Sequence, residues 1–112
     1  VRAREEEEAA RLIEDAKMLE NIGCFGIVLE KIPSQLAAEA SQLTHIPIIG
    51  IGAGNKVDGQ VLVLHVMLGL NKAFSPRFLR RYLDLDQLLH EAIGKYSADV
   101  KSQDFPNQNE QY

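Results

Sequence analysis

The stretch from Gly26 to Gly54 constrains the fold more than any other part of the chain. It reads GIVLEKIPSQLAAEASQLTHIPIIGIGAG, in which an apolar strand pattern ends on Glu30, a helical pattern follows, and a second apolar strand runs into glycines. Strands that are apolar on both faces are typical of covered parallel sheets. The order strand, helix, strand therefore predicts a βαβ unit of the kind that builds parallel sheets and barrels.

Hydrophobic periodicity predicts further elements on both sides of this unit. The predicted elements are, in order, a helix over 5–22 that stops at Gly23, a strand over 25–29, a helix over 33–43, strands over 46–52 and 60–64, short helices over 65–70 and 76–82, and a last helix that Asp84 or Asp86 caps and that runs to Ser102. Six apolar residues of the last helix are expected to face inward, namely Leu88, Leu89, Ala92, Ile93, Tyr96 and Val100.

This pattern predicts an α/β fold with three parallel strands followed by C-terminal helices. A closed parallel barrel needs eight strands and about 250 residues, whereas this chain has 112 residues. Three strands would leave two unpaired sheet edges, so we expect them to pair with chain outside this sequence. The chain does not begin with Met, which is also expected of a piece of a longer protein. We predict a partial barrel domain over 1–103 and an extended tail over 104–112.

Composition excludes several broad classes of function. The net charge of −4 argues against a general nucleic-acid binder. No apolar run approaches the roughly 18 residues of a membrane span, and the acidic start does not resemble a signal peptide. With one cysteine, Cys24, the chain cannot form an internal disulfide, which favours the cytoplasm. We therefore predict a cytoplasmic chain with no nucleic-acid or membrane partner.

Glu30 is the candidate catalytic residue. It follows an apolar strand directly, and the carboxyl ends of barrel strands are where barrel enzymes hold their reacting groups. A carboxylate in that position can act as a general base or acid. The spacing is equally compatible with an exposed Glu30, or with one that caps the helix beginning near Pro33.

Glycines near the end of the second strand form a second candidate site. The run from Gly50 to Gly54 lacks the long helix of a dinucleotide fingerprint and the Gly-Lys-Ser/Thr of a Walker loop. Such glycines let a strand end bend, or let a neighbouring side chain or a ligand approach. Gly52 and Gly54 are candidate residues at the rim of a substrate pocket, and His65 is a candidate residue at the same rim. The three histidines lack metal-site spacing, so no metal ligand is predicted in this chain.

Three segments closely resemble the C-terminal part of ketopantoate hydroxymethyltransferase: GIVLEKIPSQLA, IPIIGIGAGNKVDGQVLVLH and FSPRFLRRY. The likeness covers nearly the whole chain, and the block over 46–65 is its most specific part. It implies a TIM barrel that forms homo-oligomers and moves a hydroxymethyl group from methylenetetrahydrofolate to 3-methyl-2-oxobutanoate in pantothenate synthesis. It also implies a Mg²⁺ ion that chelates the keto acid, and a glutamate, matching Glu30, that accepts the C3 proton.

The resemblance also implies that this sequence lacks part of the site. The metal ligands of the family, two Asp and a Glu, and its substrate-binding Ser and Lys belong to an N-terminal half that is absent here, so we expect the chain alone to be inactive. Position 66 is commonly Asp in the family, where it could cap a short helix, and is Val66 here. Two alternatives stay open: a related magnesium-enolate lyase or mutase, and a truncated, non-catalytic paralogue that docks on intact barrels.

Overall fold

The computed structural model describes residues 2–3, 5–73 and 75–112. The described residues form α1 (Glu6–Asn21), β1 (Ile27–Glu30), α2 (Ser34–Leu43), β2 (Ile48–Ile51), β3 (Gly59–Gln60), α3 (Leu64–Met67) and α4 (Leu85–Lys101). They fall into two compact units, Val1–Leu62 and Val63–Tyr112. The predicted α/β class, with three parallel strands and C-terminal helices, is confirmed. The predicted domain boundary after residue 103 stays a prediction.

The first helix follows its sequence signals closely. Three glutamates occupy the first turn of α1, where negative charge offsets the positive end of the helix dipole. Gly23 follows the helix in the left-handed conformation, with φ of +97°, as expected of a glycine stop. The Glu20 carboxylate accepts a hydrogen bond of 2.6 Å from the His45 amide, which ties the end of α1 to the segment before β2.

The three strands form one parallel sheet in the order β1-β2-β3. Along β1, Ile27 and Leu29 are buried, whereas Val28 is 63% exposed. Helices α1 and α2 pack together and α2 packs on β2, so one face of the sheet is covered. The other side carries Val28 and Glu30 and is called the open face below. The core on the covered side comprises mainly Ala16, Ile27, Leu29, Ile32, Leu36, Ala37, Ala40 and Ile48.

Asp58 joins the start of β2 to α2 and to the approach to β3. Its Oδ2 accepts a hydrogen bond from the Ile48 amide at 2.8 Å and another from the Ser41 hydroxyl at 3.1 Å. The Asp58 amide donates in return to the Ile48 carbonyl at 3.0 Å. The bond from Ile48, and then that from Ser41, holds the pKa of Asp58 below its ordinary value because each favours the ionised carboxylate.

These contacts predict an acid-sensitive first unit. A carboxyl group with a lowered folded-state pKa stabilises the fold above its unfolded pKa of about 4, and this contribution is lost as the pH falls through the folded-state value. Asp58→Asn should therefore flatten the fall in the free energy of unfolding below about pH 4. Ser41→Ala keeps the bond from Ile48 and should flatten it less. Urea titrations at several pH values, followed by the amide resonances of β2, measure how the free energy of unfolding depends on pH. An equal pH dependence in the native chain, Asp58→Asn and Ser41→Ala would contradict the prediction.

The third strand is shorter than predicted. The Val61 amide still donates to the Gly50 carbonyl at 2.9 Å, but Leu64 already begins α3. The predicted strand over 60–64 is therefore wrong beyond Gln60, where β3 ends, and Val63 takes the N-cap position of the short helix. Val66 is buried within that helix, so position 66 is not its cap.

The predicted helix over 76–82 is wrong. One turn forms, in which the Leu79 amide donates to the Pro76 carbonyl at 3.0 Å. Beyond it, Arg81 Nη2 donates to the carbonyl groups of Asn71 and Lys72 at 3.1 and 2.9 Å. The Tyr82 amide donates to the Met67 carbonyl at 2.8 Å. These non-local bonds replace the local bonds that a continued helix would need.

The last helix begins as predicted but is not covered as predicted. Asp84 is the N-cap of α4, and its Oδ1 accepts from the Gln87 amide at 3.3 Å. Lys72 lies 3.0 Å from the same carboxylate and is the main reason that the pKa of Asp84 is lowered. The six residues expected to face inward are all exposed, namely Leu88, Leu89, Ala92, Ile93, Tyr96 and Val100. Periodicity correctly identifies the apolar face of a helix, but it cannot supply a partner for that face.

Candidate functional site

Glu30 lies at the carboxyl edge of the parallel sheet. It is the last residue of β1 and pairs in register with Ile51, the last residue of β2. Its side chain is 60% exposed and belongs to the open face. Pro33 is the N-cap residue of α2, and that helix start has no side-chain cap. The alternative that Glu30 caps α2 is therefore wrong, and its carboxylate is accessible from the open face.

The residue after Glu30 turns the chain sharply. Lys31 has φ of +54°, a left-handed conformation that is uncommon for residues other than glycine. Its amide donates to the Ile51 carbonyl at 2.9 Å, so pairing between the strand ends continues past Glu30. The Lys31 ammonium is 3.9 Å from Glu30 Oε1, and both side chains are largely exposed, so this ion pair adds little stability. The backbone bond to Ile51 is the firmer restraint on the chain beside Glu30.

The glycine loop, residues 52–58, connects β2 to the parallel strand β3 without a helix. Gly52 and Gly54 have φ of +66° and +82°, which side-chain-bearing residues rarely adopt. A Cβ on Gly54 would overlap Ser34 Cβ and would lie 3.1 Å from Ser34 Cα. Ser34 is the first residue of α2, in the segment that follows Glu30. The loop therefore packs directly against that segment, which is a structural reason for the glycine at position 54.

The candidate residues fall in both units. Glu30, Gly52 and Gly54 lie in the first unit, at the carboxyl edge of the sheet. His65 lies in the second unit, where it is exposed on α3. The roles of Gly52, Gly54 and His65 at a pocket rim stay predictions.

Gln60 is a residue of this region that the sequence analysis did not single out. Its Nε2 donates a hydrogen bond of 2.7 Å to the Gly54 carbonyl. The two residues are brought together because Gln60 pairs in register with Gly50, beside the start of the glycine loop. If the parallel register of β3 against β2 had been known, the short connection between them would have indicated this contact. The strand predicted over 60–64 did not fix which residues of the two strands pair.

The described residues do not fit a metal centre. Over 2–3, 5–73 and 75–112, no three His, Cys, Asp or Glu side chains come close enough to hold a metal ion. In the same ranges, none of the helices has both the length and the apolar character that crossing a bilayer requires.

Comparison with known proteins adds independent information. A family model described as ketopantoate hydroxymethyltransferase matches residues 1–108. The chain is 66% identical over 112 residues to the 3-methyl-2-oxobutanoate hydroxymethyltransferase of Flavobacterium johnsoniae. It is 67% and 62% identical, each over 113 residues, to the proteins of that name from Parabacteroides distasonis and Bacteroides thetaiotaomicron. These matches cover 100% of this chain but 41% of each relative.

Proposed function

Because the chain belongs to the ketopantoate hydroxymethyltransferase family, we propose that it supplies the proton acceptor of an enzyme that makes ketopantoate. That enzyme would transfer a hydroxymethyl group from methylenetetrahydrofolate to 3-methyl-2-oxobutanoate. The observation that carries the proposal is the position of Glu30, on the open face at the carboxyl end of β1. A carboxylate there is accessible to a substrate and can be enclosed by further chain.

The step assigned to this chain is a proton transfer. The Glu30 carboxylate takes the C3 proton of the keto acid, and the electron pair of that C–H bond becomes the enolate. Water hydrolyses the methylene group of the folate, which breaks both of its C–N bonds and releases tetrahydrofolate and formaldehyde. The enolate carbon then forms the new carbon–carbon bond to the formaldehyde carbon, and the formaldehyde oxygen takes up a proton and becomes the hydroxyl group of ketopantoate. The magnesium ion implied by the resemblance would be held by residues outside this chain, so no step is assigned to it here.

The sheet is proposed to be part of a TIM barrel completed by chain outside this sequence. In the sheet formed by the described residues, β1 and β3 are the edge strands. Helices α1 and α2 cover one face, as the outer helices of a barrel do, and Val28 on the open face is 63% exposed. Further strands would pair with the free edges and place the open face inside the barrel.

Homo-oligomer formation in the cytoplasm is part of the same proposal. Helix α4 exposes an apolar stripe that includes Ile93 and Tyr96, which are 65% and 57% exposed. An apolar surface of this kind is typical of an interaction site. With its single cysteine, the chain needs no oxidising compartment.

The test is a chimera in which this chain replaces the matching segment of the Flavobacterium johnsoniae relative. With Mg²⁺ and the folate donor, the chimera should form ketopantoate, whereas this chain alone should form none because it lacks the residues that hold the substrate. A chimera that melts like the parent relative but forms no ketopantoate would contradict the proposed function. Ketopantoate formation by the chain alone would contradict the expected inactivity.

A further inference from the structure

Ile32 anchors the segment that follows Glu30 in the core, and the Arg2 amide donates to the Lys31 carbonyl at 3.0 Å. Two further contacts attach this segment to the end of β2 and to the glycine loop. At the first, the Lys31 amide donates to the Ile51 carbonyl at 2.9 Å. At the second, the backbone of Gly54 lies against Ser34 at the start of α2. The first attachment is an extension of strand pairing. The second depends on where the glycine loop is held.

The two ends of the glycine loop are fixed by backbone structure. It starts at the carboxyl end of β2. At the other end of the loop, Asp58 exchanges hydrogen bonds with Ile48, the first residue of β2. Between these ends, Asn55 and Lys56 are exposed. Ala53 is buried in the core and Val57 packs against it, so the part of the loop that burial does not fix is the exposed stretch of Gly54, Asn55 and Lys56.

Gln60 restrains this exposed stretch. Its Nε2 is 2.7 Å from the Gly54 carbonyl, a short distance for an N–H···O hydrogen bond. Gln60 itself is held in the sheet, because it pairs with Gly50 and the next amide, that of Val61, donates to the Gly50 carbonyl at 2.9 Å. The amide group thus connects a strand to the loop.

We propose that Gln60 is a positioning residue for Glu30. It holds the Gly54 carbonyl, Gly54 buttresses Ser34, and the segment between Ser34 and Lys31 then presents the Glu30 carboxylate in one orientation. This inference rests on the proposed function of Glu30 as the proton acceptor. Loss of the hydrogen bond would leave substrate binding intact but would misalign the base, and misalignment of a reacting group lowers kcat rather than raising KM.

The test compares Gln60→Met with the native residue in the chimera. Methionine has a similar length but cannot donate a hydrogen bond, so kcat should fall by about tenfold while KM for the keto acid stays within about twofold. Gln111→Met, in the exposed tail, is the matched control and should leave both constants unchanged. In this chain itself, the Gly54 carbonyl ¹³C resonance should move upfield in Gln60→Met and not in Gln111→Met.

A second pair of variants keeps the test independent of misfolding by Gln60→Met. Gln60→Lys retains a donor that can reach the Gly54 carbonyl, so its kcat should stay close to that of the native chimera. Gln60→Glu places an acceptor against the same carbonyl, so its kcat should fall as in Gln60→Met. Equal kcat values for these two variants, or an unchanged kcat in a folded Gln60→Met chimera, would overturn the positioning role of Gln60. Either result would leave the proposed role of Glu30 intact. An inactive but folded native chimera would instead overturn the proposed function, and the role of Gln60 with it.

Discussion

Replacing Glu30 by glutamine in the chimera should lower kcat for ketopantoate formation by at least about a hundredfold, because general base catalysis typically contributes 10²–10⁴-fold. Glutamine has nearly the same shape and can still form hydrogen bonds, but it cannot accept the C3 proton. The melting temperature should change little, since the Glu30 side chain is 60% exposed and its ion pair with Lys31 is long, at 3.9 Å. Steady-state kinetics and a thermal melt on the same preparation measure both quantities.

Glu14→Gln is the matched control for this substitution. Glu14 is an exposed carboxylate on α1, and its replacement should leave kcat within about twofold. Full activity of the Glu30→Gln chimera would place the proton acceptor elsewhere.

The second large effect is expected from Gly54→Ala, which should destabilise the first unit by about 3 kcal/mol. About 1 kcal/mol of this comes from the left-handed conformation, with φ of +82°. The remainder comes from the clash of the new Cβ with Ser34, which can be relieved only by moving the start of α2 or the loop. Urea unfolding followed by the amide resonances of β1 and β2 measures the change in this unit.

Two other glycines of the first unit separate the two causes. Gly23 has φ of +97° but open space around its Cβ position, so Gly23→Ala should cost about 1 kcal/mol. A Cβ on Gly26 would meet its nearest neighbour, the Pro47 carbonyl oxygen, at an ordinary 3.5 Å, so Gly26→Ala should change stability by less than about 1 kcal/mol. If Gly54→Ala costs no more than Gly23→Ala, the contact with Ser34 is not the restraint inferred here.

Local signals predicted the parts of the fold that local interactions determine. Gly23 is the stop of α1 as expected, and Asp84, one of the two expected caps, is the cap of α4. Each of these features depends on the backbone within one turn of the helix. Helical periodicity likewise predicts an inner face of α2 that comprises Leu36, Ala37, Ala40 and Leu43. The first three are buried, whereas Leu43, at the end of the helix, is 41% exposed. Glu30 at the carboxyl edge of a parallel sheet follows from the strand–helix–strand order alone.

The failures occur where distant residues decide the outcome. The helix expected over 76–82 is replaced by a segment that Arg81 ties to the Asn71 and Lys72 carbonyl groups, and no local pattern indicates those bonds. The Gly54–Ser34 contact and the Gln60 hydrogen bond depend on a strand register that a two-residue strand sets. Whether the apolar stripe of α4 is covered depends on a partner surface, and helical periodicity does not indicate whether such a surface is present.

Exchange of the C3 hydrogen of 3-methyl-2-oxobutanoate with solvent deuterium is the most direct measurement of proton removal by Glu30. In D₂O with Mg²⁺ and without the folate donor, the enolate has no one-carbon unit to attack, so it takes up deuterium, and the C3 proton signal disappears from the ¹H NMR spectrum. The native chimera should accelerate this loss over the buffer rate, and the Glu30→Gln chimera should be at least about a hundredfold slower. Equal exchange rates in the two chimeras would contradict the assignment of Glu30 as the proton acceptor.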